Sequence, residues 1–331
     1  MAKLKKQHMT IHWKAIVQDD SSIPATEATL KEKATLVGRI GLMMLSVGTG
    51  AWRVRNSMNK VSRCLGITCT ADIGLLAISY TCIEGTDTYT QSISLPTTGV
   101  NTHKLMELEL FMKEFPDKVS TYSVKHIHEV LDEIQKLPAN YQAWNLGLAS
   151  ALACGAFTFL LGGGPVEMCC AFLGAGVGNF VRKKMLGHSI SLLANVAVSV
   201  AASCLVYVLT ILLAQQLLSV SAVHQAGYIC AMLFVIPGFP LITGGIDLAK
   251  LDLRSGLERV SYALLIILTA TMTGWATAAI CQFQPADFEP LQLQKWTLLC
   301  FRLIASFCGV YGFSLMLSLI HISEPTRPLY I

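Results

Sequence analysis

The residues whose types and spacing could best bind a solute or carry a proton lie between positions 237 and 259. An apolar stretch ends there in prolines and glycines and passes into a charged run. A helix broken inside a membrane persists where its freed N–H and C=O groups face protein, substrate or a wet cavity. Those groups could bind a polar solute. The alternative is an ordinary proline kink, since Pro and Gly are common in membrane helices. The candidates for a substrate pathway are Pro237, Gly238, Pro240, Thr243 and Gly244.

Three carboxylates could carry protons beside such a pathway, because burial disfavours the charged form of an acid. Asp247 and Asp252 follow the break, and Glu167 stands near the outer end of the second apolar span. Arg254 and Arg259 are the candidate charge partners. If one helix resumes after the break, Asp247 and Arg254 share one face of it, and Asp252 and Arg259 another. The alternatives are a solvated loop with surface ion pairs and, for Glu167, an interfacial carboxylate.

The sequence carries no pattern typical of catalysis or of cofactor binding. It contains no nucleophile elbow, P-loop, Rossmann fingerprint or CxxC pair. The 11 cysteines lie mostly in apolar segments and indicate free thiols. His126 and His128 do not share a helix face, which argues against a metal pair. We expect a protein that is not an enzyme and that uses no metal, cofactor or nucleic acid.

Composition predicts a polytopic α-helical membrane protein. The chain is 53% hydrophobic and 14% charged, and no charged residue occurs between Met185 and Ile246. Basic residues follow the second and fourth spans, so the positive-inside rule places the N-terminus in the cytoplasm. The sequence predicts about six transmembrane helices, at 144–161, 166–181, 189–212, 226–246, 257–281 and 296–316.

We expect residues 30–140 to form a small cytoplasmic α+β domain. Residues 1–29 are expected to be a flexible polar lead-in, and they lack the apolar core of a signal peptide. Helical spacing over 30–65 indicates one kinked helix or two joined helices. Residues 68–80 and 91–95 are expected to be two strands, with a turn at 84–87 between them. Asn101 is expected to cap a helix that runs to Phe115. Ser123 is expected to cap another, which Pro138 ends.

The remaining predicted boundaries concern the C-terminal part. Residues 141–281 form a five-helix membrane module, and 282–316 form the first span of a second, truncated module. Residues 317–331 resemble the translation of a sequencing adapter, and we do not expect them to belong to the fold. We expect the natural protein to continue beyond Met316.

Four stretches give the chain a family resemblance. They are 38–66 with its glycines and Arg53-Val54, 95–100, 236–259 with its Pro-Gly-Phe-Pro break, and 309–314. Together they resemble the threonine/serine exporter family over residues 30–316, and the third stretch is the specific one. The resemblance implies a cytoplasmic N-terminal domain, about ten spans in two modules, and proton-driven efflux of small hydroxy amino acids.

The expected function is therefore a secondary transporter of L-threonine and L-serine in the inner or plasma membrane. Its expected partners are the substrate, protons, the lipid bilayer, and a second membrane module in cis, lost here, or in trans. A homo-oligomer is left open. One alternative is a dicarboxylate (succinate-type) exporter, because two-subunit relatives are associated with that substrate class. Another is a membrane-tethered sensor or enzyme with the N-terminal domain as its working part.

Overall fold

The computed structural model describes Trp13, Phe288, Leu291 and residues 23–137, 142–186, 190–218, 227–283 and 293–316. Most of the predicted lead-in, the predicted helix stop at Pro138 and the adapter-like residues 317–331 lie outside the described residues. Two compact units are present. The first contains the described part of Met1–Ala139 together with Phe239–Ser261, and the second contains the described parts of Asn140–Gly238 and Tyr262–Ile331.

The first unit begins with two joined helices, α1 (Leu30–Ser46) and α2 (Ala51–Cys64). Thr29 starts α1 through a capping box with Glu32, in which the Thr29 amide donates to Glu32 Oε2 at 3.1 Å. Gly48, at φ +89°, ends the helix in a left-handed conformation that disfavours other residues. Of the two alternatives for residues 30–65, the pair of joined helices is confirmed.

A three-stranded antiparallel sheet follows, in the order β1 (Thr68–Ile73), β2 (Ala77–Glu84) and β3 (Asp87–Ser94). The hairpin at Glu84–Asp87 is confirmed, with Gly85 at φ +60°. The expectation of one strand over 68–80 was wrong, because the chain reverses after Ile73. The Gly74 amide donates to the Ala77 carbonyl at 2.8 Å and closes a turn there.

Two capped helices complete the α+β part, α3 (Thr102–Lys118) and α4 (Val124–Lys136). The Asn101 side chain accepts from the Lys104 amide at 3.1 Å, and the Ser123 side chain accepts from the His126 amide at 3.3 Å. Both predicted caps are confirmed. Helix α1 packs against α2, α4 and the sheet around a core that includes Leu36, Ile40, Val61, Ile78 and Leu131.

The other described elements are mainly long apolar helices. They are α5 (Ala143–Leu160), α6 (Pro165–Leu186), α7 (Leu192–Leu218), α8 (Tyr228–Ala231) with a 3₁₀ turn at Leu233–Val235, α9 (Gly238–Ala249), α10 (Leu253–Ile280) and α11 (Lys295–Met316).

Within the described residues, α5, α7, α10 and α11 are long and apolar enough to cross a membrane. A fifth span is present if Tyr228–Val235 and Gly238–Ala249, which are bent at a short break, count as one. The span predicted at 166–181 lies within α6, which does not reach the same apolarity. The count of six therefore stays a prediction.

Small and polar side chains hold the second unit together. A Cβ on Gly174 would lie 2.8 Å from the Ser203 carbonyl oxygen, so α6 and α7 approach closely at that glycine. Asn179 Nδ2 donates to the Leu146 carbonyl at 2.9 Å, and Asn195 Nδ2 donates to the Arg182 carbonyl at 3.2 Å. These amides therefore join helices, as expected for polar points in apolar spans.

Candidate functional site

The predicted helix break is confirmed at Ile236 and Pro237, which separate the 3₁₀ turn from α9. It is shorter than the density of prolines and glycines suggested. Pro240 lies in the first turn of α9, where a missing N–H costs nothing, and α9 continues through Gly244. The Thr243 hydroxyl donates to the Phe239 carbonyl at 2.9 Å, inside the same helix. The bend therefore lies at Ile236 and Pro237, and the role of the five predicted residues in a substrate pathway stays a prediction.

Asp247 lies in the last turns of α9 and is completely buried. Its Oδ2 accepts from the Ala51 amide at 3.1 Å and from the Ser255 hydroxyl at 2.8 Å, and lies 3.2 Å from Arg259 Nε. Ala51 is the first residue of α2, whose N-cap, Gly50, has no side chain. Asp247 therefore caps α2 from another element, and the helix dipole favours its negative charge.

Arg259, 2% exposed, joins three parts of the first unit. Its Nη2 donates to the Thr49 carbonyl at 2.6 Å and its Nη1 to the Gly48 carbonyl at 3.2 Å. Its Nε donates to the Ser255 hydroxyl at 3.1 Å, which in turn donates to Asp247. The guanidinium thus links α10 and α9 to the turn between α1 and α2. A solvated loop does not describe Asp247 or Arg259.

One carboxylate oxygen of this site is not hydrogen-bonded to any residue that the structure describes. Within the described residues, Asp247 Oδ1 is buried and has no hydrogen-bond partner. A Cβ on Gly50 would lie 2.8 Å from it, so glycine at this position leaves the space that the oxygen occupies. A buried acceptor without a donor is energetically costly, so Oδ1 is the unsatisfied polar atom of this site among the described residues.

The other predicted charges form a separate set of contacts. Arg55 Nη2 lies 2.7 Å from Asp252 Oδ1, and this hydrogen-bonded carboxylate raises the pKa of the Arg55 guanidinium. Arg254 is 56% exposed in its side chain and contacts Asp72 and, at 3.2 Å, Glu258. The structure does not bring the side chains of Arg254 and Asp252 to the Asp247 carboxylate.

The predicted sharing of helix faces was wrong. Helix α9 ends at Ala249 and α10 begins at Leu253, so Asp247 and Arg254 do not belong to one helix. Leu251, at φ +62°, makes the turn between them. Because the direction of the chain changes there, Asp247 meets Arg259 and not Arg254, and Asp252 meets Arg55.

Glu167 belongs to the second unit and is 2% exposed. Its Oε2 accepts from the Gly164 amide at 2.9 Å, at the start of α6. The position of this carboxylate at a membrane interface stays a prediction. A role in proton coupling stays a prediction for this residue.

Sequence reasoning missed Gly48, Thr49, Gly50, Ala51 and Ser255 as members of the Asp247 site. The only sequence signal was the glycine-rich run 48–50 between two helices, which predicted a kink and no ligand. Among the described residues, no group of three or more His, Cys, Asp and Glu could hold a metal ion.

Comparison with known proteins adds four findings. Residues 35–281 match the model of the family described as "ThrE: Putative threonine/serine exporter". The chain is 25% identical to the "Probable succinate transporter subunit YjjP" of Klebsiella aerogenes over 234 residues, 70% of this chain and 87% of that protein. It is 25% identical to the protein of the same name from Escherichia coli K12 over 235 residues, 71% and 88% of the two chains. No solved structure matches the chain significantly.

Proposed function

The chain belongs to the threonine/serine exporter family, and on that premise we propose that it is a secondary transporter exporting L-threonine and L-serine with proton coupling. The observation that carries the proposal is the buried Asp247–Arg259 pair with its unpartnered Oδ1. Proton-coupled carriers need an acid whose ionised and protonated forms stabilise different arrangements.

Asp247 has the contacts for such a change. In its ionised form, Oδ2 holds Ser255, Arg259 and the Ala51 amide, and thereby joins α9 and α10 to the start of α2. A proton on Oδ1 would remove the charge that attracts both the guanidinium and the helix terminus. Arg259 would keep its bonds to the Gly48 and Thr49 carbonyls. Protonation would therefore loosen α9 while the turn between α1 and α2 stays held.

The substrate proposal is supported by the family description and by chemistry. A zwitterion requires polar recognition that leucine-rich helices cannot give, whereas helix ends can: their N-termini favour a carboxylate and their C-termini an ammonium group. The junction at Ile236–Pro237 places two helix ends close together in sequence. Pro237, Gly238, Pro240, Thr243 and Gly244 are the proposed pathway residues.

A second candidate is succinate, because two relatives carry that substrate in their printed names. The word "subunit" in those names also supports a second membrane module supplied in trans. Threonine and succinate share a carboxylate, and they differ in the ammonium group and the second carboxylate. An assay that offers both separates the two candidates.

The proposed setting is the inner or plasma membrane, crossed by about six helices, with residues 30–140 in the cytoplasm. The charge pattern supports this orientation, since Arg182–Lys184 and Lys250 follow alternate spans. The proposal assigns no enzymatic reaction to the chain.

The substrate is tested in cells that lack their own exporters. The chain is expressed alone and together with a candidate second module, and the cells are fed a threonine dipeptide or succinate. Export of threonine above the empty-vector level supports the first candidate. Export of succinate alone would replace it with the second, and export of neither solute would remove both.

Proton coupling is tested with the Asp247→Asn variant in proteoliposomes, with efflux measured across a series of pH gradients. Asn preserves the shape of the side chain but cannot take up a proton, so we expect efflux to lose its dependence on the gradient. Asp87→Asn, in the exposed turn between β2 and β3, is the matched control. A gradient dependence equal to that of the wild type in Asp247→Asn would refute the coupling role.

A further inference from the structure

A cavity of about 100 Å³ lies in the α+β part of the first unit, between α1, α3 and α4. Its polar wall includes Arg39, Ser46, Lys104 and Gln135, and its apolar wall includes Leu42 and Leu108. The volume is sufficient for about three waters or for a small organic molecule. None of these residues belongs to the Asp247 site.

The polar wall contains a buried guanidinium with an unused donor. Arg39 is 1% exposed, and its Nη1 donates to His128 Nδ1 and to the His128 carbonyl, each at 2.9 Å. Its Nη2 contacts Asp132 and lies 3.3 Å from Gln135 Oε1. Arg39 Nε has no hydrogen-bond partner in the part of the chain that the structure describes.

The His128 ring supplies the second N–H donor without an acceptor in the described part of the chain. Because Nδ1 accepts from Arg39, the neutral ring must carry its hydrogen on Nε2. Burial, together with the neighbouring Arg39 charge, lowers the pKa of His128 to about 4, so the ring is neutral at physiological pH. His128 Nε2 also lacks a partner as far as the described residues go. Two buried N–H groups of the Arg39 cluster thus lack acceptors among the described residues, and of the two residues Arg39 lines the cavity.

An aromatic ring and a second cation flank these groups. The Trp13 ring stacks on His128 with centroids 6.3 Å apart, and Arg39 Cζ lies 5.8 Å from the Trp13 centroid. Lys104 Nζ donates to the Gln135 carbonyl at 2.7 Å at the edge of the cavity. Asp132 balances Arg39, and Lys104 leaves one positive charge in excess.

We propose that this cavity binds a small aliphatic monocarboxylate, with its carboxylate on Arg39 and Lys104 and its apolar body against Leu42 and Leu108. One excess cation matches one carboxylate. The unpaired donor on Arg39 requires an acceptor, and the apolar wall excludes a second charged group. The site goes beyond the proposed transport function, because it does not involve the Asp247 site or the helix break.

The test uses the purified full-length chain in detergent, titrated with sodium butyrate and followed by calorimetry and by tryptophan fluorescence. A dissociation constant of about 1 mM is expected for a ligand of this size. Lys104→Gln should weaken binding at least about tenfold. Lys113→Gln, on the exposed side of the same helix, should leave it unchanged. Trp13→Phe should remove the fluorescence change while calorimetry still detects binding.

Three results would overturn the proposal: no saturable binding of butyrate to the wild type, equal affinities for the Lys104 and Lys113 variants, or equal binding of n-butylammonium. Tighter binding of succinate than of butyrate would contradict the single-carboxylate assignment. Arg39→Lys tests the guanidinium directly, and the Lys104 variant keeps the test decisive if that protein does not fold. Asp247→Asn should bind butyrate normally, so failure of transport and failure of this site are distinguishable.

Discussion

Two buried arginines in the first unit resemble each other in their contacts and differ in what they leave unsatisfied. Arg39 and Arg259 are 1% and 2% exposed, and each pairs with a carboxylate and donates to backbone carbonyls. In the described residues around Arg39, the atoms without partners are donors, on Arg39 Nε and His128 Nε2. Near Arg259 the atom without a partner is an acceptor, Asp247 Oδ1.

This difference separates two kinds of chemistry. A buried centre with spare N–H donors favours an anion, whereas a buried centre with a spare carboxylate oxygen lacks a hydrogen-bond donor. The two acids that pair with these arginines also differ, in their exposure to solvent. The Asp132 side chain is 26% exposed and can be hydrated, whereas the Asp247 side chain is completely buried. The Asp247 charge therefore depends on Arg259 far more than the Asp132 charge depends on Arg39.

The largest expected effect follows from that dependence. Arg259→Leu leaves the buried Asp247 charge uncompensated and should lower the free energy of unfolding by about 3–5 kcal/mol. Arg39→Leu should cost less, about 1–3 kcal/mol, because water can reach Asp132. Equilibrium unfolding in detergent, monitored by circular dichroism, measures both changes.

Two further variants sharpen this measurement. Arg254→Leu replaces an exposed arginine with two carboxylate neighbours and should change the free energy of unfolding by about 1 kcal/mol or less. The double variant Asp247→Asn/Arg259→Leu removes the stranded charge and should recover part of the loss. Equal losses for Arg259→Leu and Arg39→Leu would mean that the exposure of the partner acid does not distinguish the two centres.

The second effect concerns the pH dependence of the Arg39 centre. Burial lowers the pKa of His128 to about 4, against about 6.5 for a free histidine. Between these values the unfolded chain binds a proton that the folded chain excludes. Stability is therefore fully present above pH 6.5 and falls as the pH drops toward 4, by about 3 kcal/mol in total. The measurement is the free energy of unfolding across that pH range.

The His128→Gln variant tests this assignment, and His126→Gln, two residues away, is its control. His128→Gln keeps an acceptor for Arg39 but does not titrate, so its stability curve should be flatter than that of the wild type between pH 6.5 and 4. His126 is about half exposed, and His126→Gln should follow the wild-type curve. If the slopes of the wild type and His128→Gln coincide, His128 is not the group that titrates.

The sequence predicted those features that depend on neighbouring residues. Asn101 and Ser123 cap their helices because the cap and the amide it accepts from lie three residues apart. The turn at Glu84–Asp87 is equally local. The Asp247 site is not local, since Ala51 and Asp247 are 196 positions apart and meet only in the folded unit. The burial of Arg259 could not be predicted either, because its partner Thr49 belongs to a distant part of the sequence and its partner Asp247 to another helix.

The smallest expected effect tests the space beside Asp247 Oδ1. A Cβ on Gly50 would lie 2.8 Å from this oxygen and 3.2 Å from Trp52, so Gly50→Ala must displace a carboxylate that two hydrogen bonds and an ion pair hold. We expect a loss of about 1–2 kcal/mol, seen as a lower thermal midpoint.

Gly245→Ala in α9 is the matched control, because its Cβ would meet nothing within 4 Å. Alanine is the better helix former, so that variant should gain up to about 1 kcal/mol. A neutral Gly50→Ala would show that the carboxylate can move without loss. The unpartnered oxygen would then be an adjustable contact, and the two centres would no longer differ in what they leave unsatisfied.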